Sequence, residues 1–176
     1  MNALRVGHLL PLVALVAFGA GCPGQAPAGK RASAQLESRS GSTVKGTAVF
    51  LESGDKITLS LNVSGASPGQ HAAHLHAIGD CSAVDATSAM GHWNPDMMNH
   101  GLPTAAPHHL GDCGNFTVAA DGTGTLSLTN DWSIGTGAAD DIVGKAIIVH
   151  ALMDDGVTQN PPAAASARQA CGVIGM

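Results

Sequence analysis

The sequence predicts one all-β domain, an antiparallel sandwich or barrel of about eight strands. Three observations carry this. Residues 56–64, KITLSLNVS, alternate without a fault, so Ile57, Leu59, Leu61 and Val63 share one face. Turn signals rich in Gly, Asp, Ser and Pro recur between such stretches. No segment carries the apolar spacing of an amphipathic helix. A length of 176 residues suits a single core, and that core must be aliphatic, because the chain has no Tyr, 3 Phe and 2 Trp. Net charge is −5, or −6 without Arg5, and no basic patch argues for nucleic acid as a partner.

The elements follow in order. Residues 1–21 read as a secretory signal peptide: Arg5, an apolar run over residues 9–18, then small residues before Cys22. The run is shorter than the roughly 20 apolar residues of a membrane span. GAGC, residues 19–22, resembles a bacterial lipobox, in which Cys22 is lipidated after cleavage and attaches the chain to a membrane. Ordinary cleavage before Cys22 also fits, since Gly19 and Gly21 are small. Residues 22–32 are rich in Pro, Gly and Ala, as a flexible tether should be. The expected location is the periplasm or cell envelope, where disulfides persist. The folded domain is expected over residues 33–176. Residues 33–38 and 43–52 are weaker strands, with turns at 52–55 and 65–70. Residues 115–131 read as a hairpin around Asp121 and Gly122, and residues 140–153 and 169–175 close the set. Residues 81–112 break the rhythm, and a long irregular loop in a compact domain is usually functional.

Nine histidines are present, three of them in HAAHLH, residues 71–76. Strand residues two apart project on one side, about 6.6–7 Å from each other. His74 and His76 therefore point together and can converge on one ion. His71 faces the other side, as a hydrogen-bonded structural histidine. The irregular segment adds His92, His100, His109 and Asp112, at spacings of eight, nine and three. Imidazole and carboxylate are zinc ligands, tetrahedral sites want four, and a bound ion would fix the loop. His108 does not fit beside His109, because adjacent side chains diverge. His150 ends the apolar run AIIVH. These make seven ligands, whereas two four-coordinate sites need eight bonds. A deprotonated imidazole offers two nitrogens, so one shared histidine supplies the missing bond. His92, the first after the strand pair, is the candidate. A four-imidazole site suits copper in both oxidation states, and a mixed imidazole and carboxylate site suits zinc.

Five separated motifs, HAAHLHAIGDCS, GHWNPDMMNHG, HLGDCGNFT, IIVHALMDD and ARQACGVIG, resemble in order and spacing the copper/zinc superoxide dismutase family, over residues 33–175. The resemblance implies an eight-stranded antiparallel Greek-key β-barrel with long metal-binding and electrostatic loops, holding one copper and one zinc. By position it implies His74, His76, His92 and His150 on copper. It puts His92, His100, His109 and Asp112 on zinc. It implies disproportionation of superoxide to oxygen and hydrogen peroxide by copper cycling between Cu(II) and Cu(I), with zinc structural. His92 would leave copper on reduction, take a proton and return it. The resemblance also implies a disulfide between Cys81 and Cys171, an anion-guiding Arg168 beside copper, and an Asp154 that orients His74 and His100 from behind. It leaves a homodimer open, because bacterial members pair through different faces.

Some positions depart from the family pattern. Ala72 stands where a glycine is usual, and Cys113 where an apolar residue is usual; Cys113 is expected to be a small buried side chain. Residues 151–167 contain no lysine and no glutamate. Steering of an anion to a negative protein needs local positive charge, so association is expected to be slower and less salt-sensitive than with a lysine-lined approach. The alternative reading is a non-catalytic envelope copper-binding or buffering protein on the same fold, which needs the ligands but not Arg168.

Overall fold

Alternation decides which way each strand faces. The computed structural model describes residues 29–159 and 166–176. Its strands are β1 (Arg31–Ser38), β2 (Lys45–Ser53), β3 (Lys56–Ser64), β4 (Gly69–His76), β5 (Asp112–Val118), β6 (Gly124–Asn130), β7 (Ala146–His150) and β8 (Arg168–Val173). Ile57, Leu59, Leu61 and Val63 of β3 all point inward. Leu36, Phe50, Leu75, Phe116 and Ile147 meet them from β1, β2, β4, β5 and β7. Phe50 takes Trp132 edge-on at 5.8 Å. Each such side chain contributes about 1.5–3 kcal/mol. An exposed pair such as Lys45–Glu37, at 3.5 Å, contributes about 0–1 kcal/mol, so the interior dominates.

The strands close an antiparallel barrel in the order β1-β2-β3-β6-β5-β4-β7-β8. The chain skips two strands between β3 and β4, and again between β6 and β7, which makes the topology Greek key. Closure leaves no open sheet edge.

Several expected boundaries move, including β2 to Lys45–Ser53 and β8 to Arg168–Val173. The expected signal peptide and Cys22 lie outside the described residues, but the end of the expected tether does not. Strand β1 starts at Arg31 rather than residue 33, because Ala32 continues the inward parity of Ala34 and Leu36. The amide of Lys30 is already tied to Glu52 Oε2 at 2.9 Å. The expected hairpin of residues 115–131 closes only at its tip, where Val118 faces Gly124. Beyond that point β6 follows β3, setting Leu126 and Leu128 opposite Leu61 and Leu59, while β5 follows β4. Of residues 140–153 only Ala146–His150 is strand. The Asp141 carboxylate accepts amides from Gly135, Gly137 and Val143 and folds the preceding segment into turns.

Strand β7 explains its own lack of alternation. Ile147 and Val149 face the barrel interior, while Ala146 and Ile148 face outward against Ala86, Ala89 and Cys171. Residues 77–111 therefore cover the outer face of this part of the sheet. Three backbone bonds lock them down: Trp93 N–H to Leu75 O (2.8 Å), Leu75 N–H to Gly111 O (2.8 Å) and Gly111 N–H to Trp93 O (2.9 Å). Position 111 must be glycine, since a Cβ there would lie 2.4 Å from Leu75 O.

Candidate metal centre

Two β-bulges aim the functional side chains. Between β4 and β5, Ala72 pairs with Asn115 but His74 pairs with Asp112, so β5 carries one extra residue. Gly114 absorbs it at φ +83°, a conformation that favours glycine. Cys113 then turns into the core, 1% exposed, and Asp112 turns outward beside His74. Burial, with the Asp112 charge alongside, pushes the Cys113 thiol well up, so it is an inert filler. Between β7 and β8, Val149 pairs with Ala170 but His150 pairs with Arg168, leaving Gln169 extra. Strict alternation would send Arg168 the way of Ala170, into the core. The bulge brings it outward, next to His150.

His71 stays on the inner side, as its parity predicts, and packs against Phe116 at 6.1 Å. Its ring nitrogens each lie 2.8 Å from a carbonyl oxygen, of His150 and of Ser67, so it ties β4 to the end of β7.

On the outer face two groups form. His74, His76, His92 and His150 present donor atoms within 4.8 Å of one another, and so do His92, His100, His109 and Asp112. His92 belongs to both groups. It stacks on His74 at 4.0 Å, and its Nδ1 lies 2.9 Å from Asp112 Oδ1. That orientation leaves Nε2 for the three-histidine side. His108 joins neither group; its Nδ1–H donates to the carbonyl of His109 at 2.8 Å.

The hydrogen bonds decide which nitrogens are free. His76 Nδ1–H donates to Met90 O at 2.8 Å, and His150 Nδ1–H to Ser166 O at 3.2 Å. His74 Nε2–H donates to Asp154 Oδ2 at 2.8 Å. The opposite nitrogens, His74 Nδ1, His76 Nε2 and His150 Nε2, are buried with no hydrogen-bond partner, as is His109 Nδ1, whose neighbouring Asp112 Oδ1 lies 3.4 Å away. Burying an unpartnered polar atom costs about 1–3 kcal/mol. Four such atoms in one place make sense when cations accept their lone pairs. The donor set therefore fits two metal ions.

Electrostatics prepare the same chemistry. Burial lowers His74 to about 4, against the opposing pull of Asp154, and holds His76 and His150 well below the ordinary imidazole value. These three are neutral at neutral pH, as imidazoles must be to offer a lone pair to a cation. Burial alone would raise Asp112 and Asp154. Hydrogen bonds from His100 and His92 to Asp112, and from His100 and His74 to Asp154, outweigh it and keep both carboxyls ionised. Burial likewise lowers His100, but these two carboxylates override it and raise the group to about 9.

Asp154 is buried behind both groups. Oδ2 holds His74, and Oδ1 accepts His100 Nε2–H at 2.8 Å. Arg168 donates to Ala86 O at 2.6 Å and to Met90 O at 2.8 Å. Cys81 and Cys171 are joined, with Cα atoms 5.8 Å apart. Sequence reasoning missed three supports. Asn115 grips Asp154 through both main-chain groups, at 2.7 and 2.8 Å. Gln159 does the same for His100, at 2.8 and 2.9 Å. The Met90 carbonyl serves both His76 and Arg168. None has a local signal, because the partners lie far apart in the chain. Gly114 did offer one for the first bulge.

Comparison with known proteins agrees with this geometry. Residues 44–174 match the family model described as copper/zinc superoxide dismutase. A superoxide dismutase [Cu-Zn] 2 from Brassica juncea is 41% identical over 143 residues, covering 76% of this chain and 90% of that protein. A crystal structure of the clock protein EA4 superposes with a TM-score of 0.73 at 29% identity, covering 88% of this chain and 99% of the other. The chain belongs to the copper/zinc superoxide dismutase family.

Proposed function

We propose that the chain is a superoxide dismutase with copper held by His74, His76, His92 and His150, and zinc by His92, His100, His109 and Asp112. The observation that carries this reading is the pair of four-donor groups sharing His92, with four buried nitrogens otherwise unpartnered. Copper, when bound, supplies the one-electron oxidation and reduction that convert two superoxide anions to oxygen and hydrogen peroxide. The protein does the rest. Asp154 and the Met90 and Ser166 carbonyls fix the tautomers of His74, His76 and His150, so that their lone pairs converge. Asp112 holds His92 Nδ1 and leaves Nε2 to carry a proton to reduced oxygen. Arg168, with two donors committed to loop carbonyls, keeps further N–H groups and its charge for the incoming anion.

Export to the cell envelope is part of the same proposal. It is supported by the Cys81–Cys171 disulfide, since such bonds persist outside reducing compartments. The leader pattern of residues 1–21 points the same way, and lipidation at Cys22 would attach the chain to a membrane.

Arg168→Ala separates enzyme from copper store. Dismutation should fall at least about tenfold, the worth of a charge-assisted hydrogen bond, while copper and zinc content stay unchanged. Pulse-radiolysis rates with parallel metal analysis check this. An inactive wild type carrying both metals would favour the copper-buffering reading.

A further inference from the structure

Arg168 depends on two things it does not itself supply: a bulge that turns it outward, and a loop that offers carbonyls to its guanidinium. Both acceptor residues are non-glycine at positive φ, Ala86 at 58° and Met90 at 65°. Such a conformation persists only where its surroundings hold it. Besides the Cys81–Cys171 disulfide, the turn between β1 and β2 reaches both places. On the bulge side, the Arg39 amide donates to Gln169 O at 2.8 Å, and Ser42 Oγ–H donates to the same oxygen at 2.5 Å. The Gln169 side chain does not help, since its Oε1 is buried without a partner. On the loop side, Arg39 Nε–H donates to Cys81 O at 2.9 Å, and the Ser40 amide donates to Val84 O at 2.8 Å. Among the described residues the turn makes no hydrogen bond to a proposed metal ligand.

We propose that Arg39 and Ser42 are positioning residues for Arg168, clamping the Gln169 bulge and the 81–90 loop in one register. The inference rests on Arg168 being the anion guide. It assigns part of anion affinity to a turn on the far side of the bulge.

The test uses the full chain loaded with copper and zinc, in the variants Ser42→Ala, Ser42→Thr, Arg39→Ala and Arg168→Ala. Azide, as a small anion probe, is titrated against the copper absorption band. Ser42→Ala should weaken azide binding about threefold to tenfold, the worth of one hydrogen bond, with metal content unchanged. Ser42→Thr should restore it, because the hydroxyl is retained. Arg39→Ala should weaken azide further and speed amide exchange in residues 84–90. Should Arg39→Ala fail to fold, the serine pair still decides. A lowered Tm with unchanged azide affinity in Ser42→Ala, while Arg168→Ala loses affinity, would overturn the positioning role alone. Unchanged affinity in Arg168→Ala would overturn the reading of Arg168, and the positioning role with it.

Discussion

Asp112→Ala should empty the zinc site and loosen the copper site with it. Among the described residues no other side chain ties as many of the proposed ligands together. Its Oδ1 lies 2.9 Å from His92 Nδ1, and its Oδ2 lies 3.0 Å from His100 Nδ1. Oδ2 also accepts the amides of His109 at 2.8 Å and Gly101 at 3.2 Å. The carboxylate is fully buried, so truncation also leaves the amides of His109 and Gly101 without their acceptor. A buried donor left unpaired costs about 1–3 kcal/mol. Zinc affinity should fall by more than about 100-fold, beyond the loss seen for partners one step removed from the metal. Copper should be retained through His74, His76 and His150, but with His92 held at one end only. Metal analysis after dialysis against a weak chelator, together with Tm, measures both effects. Near-stoichiometric zinc in the variant would contradict the assignment.

The second large effect is on the staple. Cys81→Ser with Cys171→Ser should lower stability by about 4–5 kcal/mol, since the bond closes a loop of 90 residues. That figure is the chain-entropy ceiling. Local packing explains why the loss is not made up elsewhere. The stapled loop packs on β7 through Ala86 and Ala89 against Ala146 and Ile148, and three of these four bury one methyl each. A buried methyl contributes about 0.8 kcal/mol, so hydrophobic contact alone holds this loop weakly. Once released, the loop takes the Met90 carbonyl away from His76 and Arg168. The double variant should therefore lose dismutation out of proportion to metal. Urea unfolding gives the stability change, and an unshifted midpoint would remove the disulfide from the account.

Much of this was legible in the residues. Faultless alternation in residues 56–64 identifies β3, and parity alone separates His71 from His74 and His76. Counting seven ligands for eight bonds makes one histidine shared, and the structure gathers the same seven side chains into two groups meeting at His92. What escaped was whatever depends on departures from regularity. Strand periodicity gives no hint of the two bulges that turn Asp112 and Arg168 outward; ligand chemistry and the family resemblance, not the pleat, point to those two residues. Strand pairing was also hidden. Residues 115–131 read as a hairpin, and β5 and β6 are neighbours in the barrel, but only Val118 and Gly124 pair between them; the long ladder of β6 is with β3, which sets Leu126 and Leu128 opposite Leu61 and Leu59. The long-range grips of Asn115 on Asp154 and Gln159 on His100 span 39 and 59 residues, and no local pattern announces them.

The shared histidine is the central claim, and one spectrum tests it. With copper(II) in its site and cobalt(II) in place of zinc, a bridging His92 couples the two spins. The copper EPR signal of the wild type should then be lost or strongly broadened, and should return in His92→Ala carrying both metals. An unperturbed copper signal in the doubly loaded wild type would mean that the two groups do not share a ligand.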